Sequence, residues 1–531
     1  MTDAPPPSRR AARESASKAA KPPREPRAPR APRAPRGEGA ATEQAPVLLD
    51  ENGEPIAPKG GIMALVRKHP TRWLIGALGV AFLMLGTGAV FAGVAYGSTA
   101  GAPAPTATQL ATRSQPVTEP TPMALRTCSV MALAYDPRML NGLFGSVRRA
   151  DTGEELFNLR GTVPERTAST LKVLTAAAAV MQLGADYQIT TSVVSGTTPG
   201  TIVLVGRGDA TLSAMPPGTE SVYSGAPKLS TLAAAVIAQY SAANPGQKIT
   251  NVVLDASYWN PSDKWDPSWK RSEQTIGYHS EVTALQVDGD RADPTKQTSP
   301  RSTDPIARAG EAFVAALKDA DPGNVVANDV SITTGIANNG NVLAEVKSQP
   351  LRVLIPQMLL NSDNTLAEMI ARIVSKESGL GGSAASLQQA IPSLLWPEDP
   401  ETARSVVIKD GSGLSENNAV PADVMSEFMR RVASGGENLD VVRDALPVAG
   451  KSGSLSNRFT GANEIARGFV VAKTGWIDTE YSLAGFMDAA DGTRLTFAFY
   501  AVGDGIQDDA KEALDTLTTA VFTCGDNLAR F

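Results

Sequence analysis

The sequence predicts a mixed α/β (α+β) protein: an antiparallel sheet with flanking helices, interrupted by an inserted domain and preceded by one transmembrane helix. Three observations predict it. Near the C-terminus, GFVVAKTGWI, YSLAGFMDA and LTFAFYAVG are β-rich apolar runs separated by short turn signals, the pattern of adjacent antiparallel strands. Between two helical stretches, TASTLKVLTAAAAVMQLG and LRVLIPQMLLNSDNTLAEMIARIVSKESG, residues 189–344 switch to alternating strands and helices. Far upstream, Trp73 to Tyr96 contains no charged residue.

Taken in order, residues 1–72 are rich in Pro, Ala, Arg and Lys, with repeats such as Pro26-Arg27-Ala28 and Pro29-Arg30-Ala31. This composition cannot bury a core, so a disordered, polyproline-like basic tail is expected. It carries 14 Lys/Arg against 8 Asp/Glu, a balance that suits anionic lipid headgroups or simply a solvated tail. The run 73–96, WLIGALGVAFLMLGTGAVFAGVAY, is long enough to cross a bilayer as one helix. Arg67, Lys68 and Arg72 precede it and the next basic residue is Arg113, so the positive-inside rule puts the N-terminus in the cytoplasm and the rest outside. The run starts too far into the chain for a cleaved signal peptide; a single-pass anchor in the cell membrane is expected. Residues 97–125, mostly Thr, Pro, Ala and Gly, read as a spacer.

Residues 126–188 and 345–531 are expected to form one domain in two segments, around the insertion 189–344. Within the insertion QITTSVV, TIVLVG and KITNVVLDASYW read as strands, with the helix LSTLAAAVIAQY between the second and third. The helix PIARAGEAFVAALKDA then precedes the strands DVSITTGI and NVLAEV, and DDAKEALDTLTTAVF is the closing helix. Cys128 and Cys524 are the only cysteines. Outside the cytoplasm a disulfide between them would close nearly the whole ectodomain into one loop; two buried thiols are the alternative.

Composition narrows the chemistry. Beyond residue 72 the chain carries 35 Lys/Arg against 47 Asp/Glu, which argues against nucleic acid as a partner. With His69 and His279 the only histidines, a Ser-His-Asp triad would have to rest on His279, and a multi-histidine metal site is excluded. No metal or cofactor is expected. A hydrolase so poor in histidine needs another base, and Ser169-Thr170-Leu171-Lys172 supplies one. Residues three apart share a helix face, bringing Oγ and Nζ together. Lysine accepts a proton only when neutral, a form favoured by burial and by a second cation. The spacing alone is weak, since Ser15-Ala16-Ser17-Lys18 has it too. Downstream, however, lie Ser362-Asp363-Asn364 and Lys473-Thr474-Gly475, and the three motifs in this order are the signature of penicillin-recognising serine acyl enzymes.

With these residues in place, roughly residues 125–531 resemble the class C low-molecular-mass penicillin-binding proteins, the D-alanyl-D-alanine carboxypeptidase/endopeptidase family. Gly206-Arg207-Gly208-Asp209-Ala210-Thr211-Leu212, Asp410-Gly411-Ser412-Gly413-Leu414-Ser415 and Gly453-Ser454-Leu455-Ser456-Asn457-Arg458-Phe459 add to the likeness. The resemblance implies a penicillin-binding-protein/β-lactamase-like transpeptidase domain that acts on peptidoglycan stem peptides and is trapped by β-lactams. It implies Ser169 as nucleophile, Lys172 as its base and Ser362 as proton relay, with Asn364, Lys473 and Thr474 holding substrate. The backbone N–H groups of Ser169 and Trp476, past Gly475, would form the oxyanion hole. Lys451-Ser452-Gly453 competes with Lys473-Thr474-Gly475, but only the latter lies on an alternating strand.

Three departures qualify the resemblance. Trp476 stands where relatives usually carry Thr or Ser. Glu416 stands where they often carry Arg, a position associated with the third residue of the stem peptide; the reversed charge suggests an amidated or ammonium-bearing residue there. Trp269 and Tyr278 match the family's groove aromatics only loosely, with core packing as the alternative. Two rival readings stay open: a catalytically silent wall-binding scaffold of the same fold, and a β-lactamase, against which the insertion argues.

Overall fold

A computed structural model describes residues 125–530. The basic tail, the expected anchor at 73–96 and nearly all of the spacer lie outside the described residues. Among the described residues no helix is long and apolar enough to cross a membrane.

In chain order the strands are β1 (Leu143–Arg149), β2 (Glu155–Leu159), β3 (Thr190–Ser195), β4 (Thr201–Val205), β5 (Ile249–Asp255), β6 (Val326–Thr334), β7 (Val342–Lys347), β8 (Val470–Ile477), β9 (Glu480–Asp488) and β10 (Arg494–Val502), besides a two-residue pair at 164–165 and 420–421. The main helices are α1 (Lys172–Leu183), α2 (Leu229–Ala243), α3 (Pro305–Asp319), α4 (Leu351–Asn361), α5 (Asn364–Glu377), α6 (Ala422–Ser434) and α7 (Ala510–Cys524).

The first sheet runs β8-β9-β10-β1-β2 and is antiparallel throughout. Its three C-terminal strands are the runs read as adjacent. β1 and β2 come from the opposite end of the chain, where the sequence offered no expectation. Both faces are covered: Phe497, Phe499 and Ala501 of β10 join the core beneath α7, while Ala498 and Tyr500 join the core containing α1 and α6. Burial on both sides explains why these strands read as continuous apolar runs.

The second sheet, β6-β5-β4-β3-β7, uses only residues 190–347. β4, β5 and β6 are parallel, joined by crossovers through α2 and α3, whereas β3 is antiparallel to both its neighbours. α3 starts where the sequence signals a start: Asp304 accepts from Ala307 N and Pro305 takes the first position.

Cys128 and Cys524 are bonded, with Cα atoms 5.6 Å apart and a sequence separation of 396. The bridge ties the start of the described chain to the end of α7. Cys128 N also donates to Asn527 O at 3.1 Å and Ala529 N to Cys128 O at 2.9 Å.

Candidate active site

Residues 168–171 form a 3-10 turn, and the α-helix proper begins only at Lys172. The expectation of one continuous helix through Ser169 is corrected by Ala168, whose φ of +41° no α-helix accommodates. The tighter i, i+3 geometry still stacks Lys172 over Ser169. Two contacts hold the strained turn. Ser482 Oγ donates to Thr167 O at 2.8 Å, and Gly413, at φ +78°, lies so close that a Cβ there would sit 1.8 Å from Ala168 O. Only glycine fits that position.

Lys172 is fully buried. Its Nζ donates to Ser169 Oγ at 2.9 Å, to Asn364 Oδ1 at 2.7 Å and to the Ser412 carbonyl at 2.6 Å. Ser362 is the αL residue between α4 and α5, at φ +54°. That conformation brings its Oγ within 3.1 Å of Lys473 Nζ, which also donates to Thr474 O at 2.8 Å. Lys473 reaches the site from β8, the edge strand of the first sheet, whose outer backbone pairs near its start with residues 447–449 through a short antiparallel bridge at Val448 and Val471. Thr474 Oγ1 shares a 2.7 Å hydrogen bond with Ser454 Oγ. Ser169, Ser362, Ser454, Thr474 and Trp476 line one cavity of about 380 Å³, walled further out by Tyr481, Arg458 and Lys511.

Behind these groups lies a buried charged layer that the sequence reading missed. Asp363 caps α5 by accepting from Leu366 N at 3.0 Å. Its other oxygen accepts from Tyr223 OH at 2.8 Å and Arg291 Nη2 at 2.7 Å. Burial works to raise this carboxyl, but the Arg291 and Arg301 charges and the hydrogen bonds outweigh it and hold it well below the usual range. Glu368, one turn beyond Asn364, accepts from Gly411 N at 2.9 Å and Ser412 N at 2.7 Å. Burial, reinforced by the Asp410 carboxylate, pushes Glu368 up to about 7. The available signal was the charged run Asp288-Gly289-Asp290-Arg291, directly after the apolar-rich stretch 282–287.

The structure gathers Ser169, Lys172, Ser362, Asn364, Lys473, Thr474 and Gly475 into one site. Trp476 stands beside them, its ring 6.2 Å from that of Tyr481. Trp269, expected in the groove, is instead 4% exposed; its Nε1 donates to Asp410 Oδ2 at 2.8 Å and its ring packs edge-on against Trp265 and His279. It is a floor beneath the Asp410–Ser415 loop. Tyr278 is half-buried and does not line the 380 Å³ cavity; Gly277, at φ +104° and pressed on the Ser299 backbone, tucks this segment inward. Glu416 is exposed, 3.9 Å from Arg166, and faces a separate, smaller cleft with Lys270 and Asp478. Lys451 is an exposed turn residue. His279 is fully buried against Trp265 and Trp269, and among the described residues neither ring nitrogen has a hydrogen-bond partner, a serine hydroxyl included.

The family model for the D-Ala-D-Ala carboxypeptidase 3 (S13) family matches residues 127–300 and 286–521. Carboxypeptidase DacB of Mycolicibacterium smegmatis is 35% identical over 475 residues, covering 86% of this chain and 99% of its own. The crystal structure of penicillin binding protein 4 (dacB) from Haemophilus influenzae superposes with a TM-score of 0.60 at 18% identity, over 76% of this chain and 99% of that one. The same protein complexed with a β-lactam gives a TM-score of 0.55 at 20% identity, with the same coverage. These likenesses show a penicillin-binding-protein fold.

Proposed function

The chain belongs to the D-Ala-D-Ala carboxypeptidase 3 (S13) family and is a serine D,D-peptidase acting on peptidoglycan, and we propose that Ser169 is its nucleophile. In its neutral form Lys172 keeps two N–H donors and turns its lone pair to the Ser169 hydroxyl, and it takes the Ser169 proton as Oγ bonds to the carbonyl carbon of the penultimate D-alanine. The negative charge on the carbonyl oxygen meets the backbone N–H groups of Ser169 and Trp476. Collapse breaks the C–N bond, and Ser362, between Lys473 and the substrate, passes a proton to the departing amine. Thr474 and Lys473 hold the terminal carboxylate, and water then releases the acyl group. The observation that carries this reading is the buried Lys172 Nζ, 2.9 Å from Ser169 Oγ and tied at once to Asn364 and Ser412. A β-lactam would stop the cycle at the acyl-enzyme.

Ser362 lines the larger cavity and Glu416 the smaller one, so the leaving group occupies the former and the stem peptide runs toward the latter. Carboxypeptidase action needs room for one D-alanine there, endopeptidase action for a cross-link. Incubating the full-length protein with a stem pentapeptide and with a cross-linked dimer, and measuring free D-alanine and monomer, separates the two. Neither product above the Ser169→Ala background would sink the assignment. We further propose that residues 73–96 anchor the enzyme with its catalytic domain outside the cytoplasm; protease added to intact cells should remove the domain and spare the tail.

A further inference from the structure

The three oxygens around Lys172 Nζ are not held independently. Asn364 opens α5, and Glu368 lies four residues later on the same face. Glu368 Oε1 accepts both Gly411 N and Ser412 N, at 2.9 and 2.7 Å, fixing the two peptides that lead into Ser412, whose own carbonyl, one peptide further on, accepts from Lys172 at 2.6 Å. The loop is pressed on α5 as well: a Cβ on Gly411 would come 2.3 Å from Ala371 Cβ and 3.0 Å from Ala367 O. Its far side touches the Ser169 turn through Gly413. One helix therefore sets two of the acceptors that aim Lys172 at Ser169. Glu368 is fully buried and its Oε2 has no hydrogen-bond partner among the described residues. A buried acid with one idle oxygen stabilises little by itself; the work of this one is the pair of N–H groups.

We propose that Glu368 is a positioning residue for the catalytic base: through the Gly411–Ser412 peptide it holds the Ser412 carbonyl, and with it Lys172 Nζ, against Ser169. The inference rests on Lys172 being the base. It makes reach, rather than charge, the property that matters. Glutamine keeps an acceptor oxygen at the same distance, whereas aspartate keeps the charge but falls one methylene short.

The test is rapid-mixing acylation of the full-length protein by a fluorescent penicillin, with the non-covalent Kd and the acylation rate constant measured separately, beside thermal melts. Glu368→Ala should lower the acylation rate about 100-fold and leave Kd within about threefold, because Lys473 and Thr474 are untouched. Glu368→Gln should recover the rate to within about tenfold of wild type, and Glu368→Asp should stay low. A folded Glu368→Ala that acylates at the wild-type rate overturns the proposal. So does rescue by Asp but not Gln, which would make the charge the operative feature. If Glu368→Ala does not fold, the Gln/Asp pair decides. Loss of acylation in Ser169→Ala with full activity in Lys172→Ala would refute the base assignment and this inference with it, which distinguishes that failure from a failure at Glu368 alone.

Discussion

The two five-stranded sheets of this molecule use their strands in opposite ways. The antiparallel sheet is buried on both faces, and it delivers Lys473, Thr474 and Gly475 from its edge. The sheet of residues 190–347 leaves its far strands open, with Ile332 37% and Val342 59% exposed. It sends no strand residue to the chemistry. Its contribution comes through loops: Tyr223 and Arg291 reach back to Asp363 and so brace the turn that carries Ser362 and Asn364. A sheet packed on both faces out to its edge fixes a cation in place, whereas a sheet with open outer strands acts as a scaffold for braces.

That contrast can be broken by substitution. Lys473→Ala should cost about 1000-fold in penicillin acylation with the melting temperature little changed, since the loss is of charge directed at the substrate. Arg291→Met, on the other side, should act on stability first. It leaves Asp363 buried beside Tyr223 without its nearest cation, a loss of roughly 3–5 kcal/mol by urea unfolding. Cys128→Ser opens the 396-residue loop and should lower stability by roughly 2–5 kcal/mol, with acylation unchanged at a temperature where the protein stays folded.

Acid should sharpen the contrast. His279 is pulled down to about 3, by burial first and then by Arg301. A depressed folded value means stability that is complete above the unfolded value near 6.5 and is lost as pH falls from there toward 3. His279→Phe, which keeps an aromatic ring against Trp265 and Trp269, should flatten this limb in melts between pH 7 and 4. Glu368 has the opposite sign: its raised value makes stability decline as pH rises through about 7. The smallest effect belongs to the open sheet, where Ile332→Thr should change stability by under about 0.5 kcal/mol.

The motifs were legible because they are local. Ser169 and Lys172 lie within one turn, Ser362 and Asn364 flank a helix start, and Lys473 sits in an alternating strand whose neighbours follow directly in sequence. The three C-terminal strands and the strands and helices of residues 190–347 were readable for the same reason. What escaped was long-range. β1 and β2 join the first sheet by pairing β1 with β10, some 350 residues away, and no periodicity announces such a pairing. The Asp363–Arg291–Tyr223 brace joins three distant segments, and Glu368 reads as an ordinary helix-surface acid until Gly411 is placed against α5. Trp269 was left between groove and core, because a tryptophan's indole N–H satisfies a buried carboxylate as readily as it lines a cleft; its bond to Asp410 belongs to the core reading.

The central claim is that Ser169, activated by Lys172, forms the acyl-enzyme. The most direct test is to react the full-length protein with a penicillin, confirm one adduct by intact mass, and map it by peptide digestion. The account predicts a single adduct on the peptide carrying Ser169, absent from Ser169→Ala and strongly slowed in Lys172→Ala. An adduct on another serine, or one that persists in Ser169→Ala, would contradict it.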